Sequence, residues 1–317
     1  MNLLFFDIEC ASVYKTAAKI CAFGYVLCDE NFNILEKEDI LINPKGKFHL
    51  TDGRGEHGLV LPYKYDEFKT CPVFPQVYDR IKSLLQDRNN LIFGHATHND
   101  VNYLDLETRR FKLPPFEFNF SDSQIMYMTS VRDFSRQFGL EHITKDLDVE
   151  FTPHRAADDA YATMRVVQAL CKKHGCSSLK IKDVLQIKCG STRNHKITNA
   201  NSKAYADHRA ALQREKKERA KRRNKFYKVV NGRRAAKSQK LKGVVFNFSR
   251  ELEYQTEISI PLLQKIFSLG GGYTQKLSEC NLFVCEQGDV SVRTQNAKNT
   301  ANLKVISVEE LRGMLDD

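Results

Sequence analysis

Apolar and polar positions divide the chain into three stretches of different character. The first opens on a continuous apolar run, Leu3-Leu4-Phe5-Phe6, closed by Asp7. A short run of this kind predicts a buried central strand over residues 2–7. Partial alternation over residues 19–28 and 32–42, with Asp29-Glu30-Asn31 between them, predicts a hairpin. The period then changes. Val77, Ile81, Leu84 and Leu85 are spaced for one helix face, residues 91–93 form a short strand stopped by Gly94, and residues 101–111 are helical again. A strand over residues 116–120 leads to Asp122, placed to cap a helix running through Met128. Residues 156–172 predict a long helix with Ala160, Met164, Val167, Leu170 and Cys171 on its apolar side. Three strands followed by alternating helices and strands predict a layered α/β domain over residues 1–180.

The pattern fades over residues 181–240. The core of this stretch, residues 211–223, is mostly charged and has few large apolar side chains, which predicts a basic linker, either an exposed helix or disordered. Order signals return at Leu241. A strand over residues 242–248 precedes a helix with Ile260, Leu263, Ile266 and Phe267, which ends at Gly270-Gly271-Gly272. Short strands at residues 282–285 and 305–306 and a closing helix over residues 308–315 complete a small α/β domain over residues 241–317.

Charge sharpens this division. The chain carries a net +10, yet residues 196–242 hold 17 Lys or Arg against 3 Asp or Glu, a local +14, so the remainder is mildly acidic at −4. A concentrated basic block suits a polyanion, because lysine and arginine neutralise phosphates and release counterions. It also fits a solvated charged helix with no partner. No run of 18 apolar residues is present, so no membrane span is expected. The first residues lack a basic region and meet Asp7 and Glu9 at once, which is unlike a signal peptide and gives a cytoplasmic expectation. Nine scattered cysteines then read as free thiols. Cys171, His174, Cys176, Cys189 and His195 are the one grouping with zinc-ligand chemistry; ordinary helix-end thiols are the simpler account of their loose spacing.

Three acidic groupings carry candidate chemistry. Asp7 and Glu9 lie two apart at a strand end, so the strand period places both on one face. Two such carboxylates repel each other, and a hard divalent cation removes the cost. Two solvated acids at a strand end would have the same spacing. Asp100 falls at a helix start after the strand that ends at Gly94, and taken alone it also fits an acid favoured by the helix dipole. His154 sits in a loop after Pro153, five residues before Asp159 on the long helix. Asp158 is turned about 100° from Asp159 by the helical repeat. Asp105 and Glu107 fit a solvated helix face, Asp122 a cap, and His98 and His142 the polar surface.

Taken together these segments resemble the three motifs of the DEDDh exonuclease family, which includes the proofreading subunit of bacterial replicative DNA polymerase and ribonuclease T. Phe6-Asp7-Ile8-Glu9 is similar to the first motif, residues 95–104 to the second, and residues 154–159 to the third. Glu56-His57-Gly58 and Pro72-Val73-Phe74 add to the likeness, which covers roughly residues 1–175. The resemblance implies a ribonuclease H-like mixed sheet flanked by helices, two Mg²⁺ or Mn²⁺ ions, and 3′→5′ hydrolysis of phosphodiester bonds. It implies that Asp7 bridges both ions, that Glu9 and Asp159 complete the water-activating side, that Asp100 holds the second ion, and that His154 is the general base. Ile8, His95, Asn99 and Tyr103 would then face the substrate, with Phe5 a further wall candidate. One departure stands out. The family places His-Asn at the start of the second motif and an aromatic before its aspartate, whereas Ala96 follows His95 here and Asn99 precedes Asp100. Tyr103-Leu104 keeps the register on Asp100 rather than Asp105.

Residues 241–317 resemble a BRCT domain, carried by residues 241–246, the glycines at 270–272, the strand at 282–284 and residues 305–311. Leu311 stands where a tryptophan is common. Some domains of that class hold phosphate through Ser/Thr-Gly and a later lysine. Here Ser249 precedes Arg250 and the glycine is missing, with Lys298 or Arg293 as the second charge, so a phosphate site and a protein-docking module both stay open. The combined expectation is an exonuclease acting on DNA 3′ ends in repair or proofreading, with RNA 3′-end trimming as the alternative. A non-catalytic nucleic-acid-binding scaffold is a third reading, opposed by the completeness of the acid set.

Overall fold

A computed structural model of the chain describes residues 1–46, 65–150, 155–233 and 235–316. Glu56-His57-Gly58 and His154 lie outside the described residues. Two compact units divide between Arg209 and Ala210.

In the first unit, β1 (Asn2–Tyr14), β2 (Ala17–Asp29) and β3 (Ile34–Leu41) form an antiparallel meander. There follow α1 (Tyr65–Thr70), α2 (Phe74–Gln86), β4 (Asn90–Gly94), α3 (His98–Arg110), β5 (Phe118–Asp122), α4 (Ser123–Val131), α5 (Leu140–Asp146), α6 (Ala156–His174) and α7 (Ile181–Val184). Short strands β6 (Ile187–Lys188), β7 (Gly190–Arg193), β8 (Lys196–Thr198) and β9 (Asn201–Ser202) precede α8 (Lys203–Asn231), which carries the boundary between the units. The sheet runs in the order β3-β2-β1-β4-β5-β7-β8 and is mixed: β1, β4 and β5 are parallel, the others antiparallel.

β1 is central because its apolar run is buried on both faces. Leu4, Phe6 and Ile8 pack into one core with Val77, Ile81, Val101 and Leu104 of α2 and α3. Leu3 and Phe5 pack into the other with Met126, Met164 and Val167 of α4 and α6. Phe5 stacks on Phe93 at 4.9 Å and Phe6 on Phe23 at 5.6 Å, joining adjacent strands within each face.

Two features depart from the expected pattern. β1 does not stop at Asp7: its ladder with β2 continues to Tyr14, because pairing sustains a strand after hydrophobicity ends. The sheet also continues past residue 180, through β7 and β8 to Thr198. Their two-residue link, Asn194-His195, has both residues at positive φ (45° and 62°), the geometry of a tight primed hairpin turn. A polar edge hairpin leaves no hydrophobic signature.

In the second unit, β10 (Val245–Phe248), α9 (Arg250–Tyr254), α10 (Thr256–Ser268), β11 (Gly272–Tyr273), β12 (Leu282–Cys285), α11 (Val292–Lys298), β13 (Lys304–Ser307) and α12 (Val308–Asp316) form a parallel sheet in the order β11-β10-β12-β13 with its helices. Its core takes in Phe226 from the last turns of α8, fully buried against Phe248 and Tyr273. Tyr227 donates a hydrogen bond to the buried Glu253 at 2.8 Å. The second core therefore begins before residue 241.

Among the described residues no helix is long and apolar enough to cross a membrane. Truncating Phe226 to Ala should lower the unfolding free energy of the second unit by about 3–5 kcal/mol in urea denaturation. Leu212→Ala, at an exposed position of the same helix, should change it by less than about 0.5 kcal/mol.

Candidate active site

β1 presents Asp7 and Glu9 on one face, opposite Gly24 and Ala22 of β2. On its other side β1 pairs with β4 only from Asn2 to Phe5. Beyond Phe5 that edge has no strand partner among the described residues, and Asp100 stands buried in the first turn of α3, close enough to Asp7 to raise its carboxyl. The loop that aims α3 turns at Ala96, which adopts a left-handed φ of 48°. Asp122 holds that turn: its carboxylate accepts from Ala96 N (3.2 Å), Thr97 N (3.1 Å) and Gln124 N (2.9 Å). Asp122 is thus the expected cap of α4 and also the anchor of the Asp100 loop.

Asp159 reaches the same place from the opposite layer. The first turn of α6 lies directly on β2 at Gly24, where an added Cβ would stand 2.0 Å from the Ala156 carbonyl carbon and 2.1 Å from the Ala157 nitrogen. Only glycine admits this approach. Asp39 of β3 accepts a hydrogen bond from Ala157 N at 2.7 Å. Asp158 turns away to pair with Lys37 at 2.7 Å, as the helical repeat requires.

The carboxylates of Asp7, Glu9 and Asp159 each place an oxygen within 4.8 Å of the others, the one such group of metal-ligating side chains among the described residues. Burial, then Asp100, Glu9 and Asp159, hold the Asp7 carboxyl well above its usual range. Burial, then Asp159 and Asp39, push Glu9 up to about 8. Burial, then Glu9 and Asp122, raise Asp100. Acids driven toward protonation by one another, with oxygen as every donor atom, fit a hard divalent cation, which would reverse each shift.

Other expected site residues fare differently. His95 is braced within the fold. Its ring is wedged between the Ser123 hydroxyl (2.9 Å) and the Phe138 carbonyl (3.1 Å), and burial pushes it down to about 4, so it is a neutral brace. Ile8 is buried in the core, so its side chain is wall rather than contact. Asn99 is exposed on the first turn of α3. Tyr103 is half-buried one turn beyond Asp100, its phenol raised to about 12 by burial, then Cys10 and the acids.

The solvated-face expectation for Asp105 and Glu107 is corrected. Asp105 is bound by Arg109 (2.7 Å) and His195 (2.6 Å). Glu107 is buried against Arg110 at 3.1 Å, and Arg110 also donates to the Pro44 and Lys45 carbonyls. The zinc grouping disperses: Cys189 meets Ser121 and Lys182, His195 meets Asp105, and His174 meets Ser130. In the second unit Ser249 is fully buried and accepts from Leu252 N as a helix cap, so its hydroxyl is not exposed to a ligand. Arg250 lies 3.7 Å from Glu253, and Lys298 is exposed at the end of α11. Neither Gly24 nor Asp39 carries a local signal in sequence.

Glu9 makes a signed prediction. Its folded value of about 8 lies above the ordinary 4.5. Such a group supports the fold in its protonated form, fully below about pH 4.5, and the support is lost as pH rises through about 8. In EDTA, Tm should therefore fall between about pH 5 and 9. Saturating Mg²⁺ should flatten that fall, and Glu9→Gln should flatten it without metal.

The profile of the RNase T family, described as exonuclease, matches residues 4–167, more than half of the chain. A full-length 3′-exonuclease is 13% identical, with 64% of this chain and 91% of that one covered and a TM-score of 0.50. A 3′-exonuclease solved for 3′-end specific recognition of histone mRNA stem-loop is 12% identical, with 64% and 71% covered and a TM-score of 0.48. E. coli Exonuclease I in complex with a dA16 oligonucleotide is 19% identical, with 57% and 42% covered and a TM-score of 0.44. No curated protein matches the chain. At 13% identity the full-length 3′-exonuclease speaks to fold alone; the family profile carries the assignment, and its span takes in most of the strand and both helices that bring the acids together. The chain belongs to the RNase T family of exonucleases.

Proposed function

We propose that the protein is a two-cation 3′→5′ exonuclease acting on DNA 3′ ends, in repair or proofreading. The observation that carries this reading is the convergence of Asp7, Glu9 and Asp159 within 4.8 Å, with Asp100 entering from the other layer. Two bound Mg²⁺ or Mn²⁺ ions would supply an activated water and neutralise charge on the scissile phosphate. Asp7, Glu9 and Asp159 would hold the ions, with Asp100 supplying a further carboxylate. His154, five residues before Asp159, would take the proton of the attacking water.

Two further features support a nucleic-acid substrate. α8 carries eleven Lys or Arg against three Asp or Glu, and residues 211–222 are exposed, a surface suited to phosphates. The second unit has a four-stranded parallel sheet with its second strand at one edge, an arrangement in keeping with a BRCT-like docking module. The preference for DNA rests on that module by analogy. A tethered module of this kind would raise the effective concentration of the nuclease at its substrate.

Purified protein with Mg²⁺ or Mn²⁺ should convert a 5′-labelled single-stranded DNA into a ladder of products shortened from the 3′ end. Asp7→Ala should cut the rate by more than about 100-fold while Tm in EDTA does not fall. Internal cleavage, or equal activity in the variant, overturns the reading. RNA shortened beside intact DNA replaces the DNA assignment with RNA.

A further inference from the structure

We propose that Asp39 is a positioning residue for the candidate cation site: through the first turn of α6 it sets where Asp159 stands against Asp7 and Glu9. This rests on the reading of those acids as a cation site.

Asp39 and Gly24 face each other in the β2–β3 ladder. They form a socket, with Gly24 removing the side chain that would block α6 and Asp39 supplying a hydrogen-bond acceptor at the same level. A helix begins with N–H groups that have no partner within the helix. The N-cap residue of α6 is Arg155, whose side chain makes no capping bond. The cap comes instead from across the sheet: Asp39 Oδ1 accepts from Ala157 N at 2.7 Å, and Oδ2 lies 3.5 Å from Arg155 Nε. The Asp39 side chain is only 12% exposed, so the bond is shielded, and a carboxylate at a helix N-terminus is further favoured by the dipole. Ala157 stands two residues before Asp159. A shift of that turn therefore carries Asp159 with it, and metal–ligand distances in real sites stay within about 0.2 Å of their ordinary values.

A neighbouring contact gives the control. Lys37, two residues before Asp39 and on the same side of β3, pairs with Asp158 at 2.7 Å, but both side chains are about one-third exposed. An exposed pair of this kind contributes little.

The test measures Mn²⁺ affinity of the full chain by electron paramagnetic resonance, with Tm as the check on folding and cleavage rate against Mn²⁺ concentration as a second readout. Asp39→Ala should weaken Mn²⁺ binding by about tenfold or more, with cleavage restored at high Mn²⁺. Asp39→Asn keeps an acceptor for the Ala157 amide and should stay within about threefold of wild type, and Lys37→Ala within about twofold. Wild-type affinity in Asp39→Ala overturns the assignment. A tenfold loss in Asp39→Asn overturns it whatever Asp39→Ala does, since the charge and not the acceptor would then be the cause. An equal loss in Lys37→Ala overturns it as well. Wild-type protein that binds no Mn²⁺ overturns the cation reading itself, a result distinct from all three.

Discussion

Repulsion among carboxylates held away from water is the constraint on which the rest of the first unit depends. Asp7, Glu9 and Asp159 converge within 4.8 Å, with Asp100 close enough to raise Asp7 further. Left to themselves such groups would separate or take up protons. Each is therefore held by structure that cannot easily yield. Asp7 and Glu9 ride on a strand packed on both faces. Asp100 stands in the first turn of α3, whose entry loop is tied to Asp122. Asp159 is delivered by a helix whose first turn touches bare backbone at Gly24. The fold stores an electrostatic conflict, and a divalent cation is the species that resolves it.

Much of this was legible in sequence, and the parts that were not share a cause. Asp7, Glu9, Asp100 and Asp159 stand at the ends of elements that hydrophobic periodicity marks well, so motif and element supported each other. Gly24 lies inside an apolar strand and gives no hint that a helix 130 residues later will press on it. Asp39 closes the charged run Glu36-Lys37-Glu38-Asp39, in which Glu36 and Glu38 face Arg80 and Tyr25 instead. Asp105 and Glu107 look solvated because a helical pattern assigns polar positions to water. Their partners are His195, contributed by the tertiary structure, and Arg110, three residues on in the same helix. His95 was expected at the substrate because of its place in a motif, but its two ring nitrogens are both engaged by Ser123 and Phe138.

The same limit explains the boundary regions. Residues 190–198 form an edge hairpin of polar residues with a two-residue turn, invisible to a search for apolar runs. In α8 the density of lysine and arginine conceals an apolar face at its end, where Phe226 is buried and Val229 and Val230 pack beside it. A helix with an exposed basic middle and a buried end is thus both charged surface and core element, and composition registers only the first.

The most direct test of the central claim is anomalous diffraction from crystals of the protein grown with Mn²⁺. The account predicts a manganese peak ligated by Asp7, Glu9 and Asp159. Manganese bound only elsewhere, with these three carboxylates bare, would contradict it.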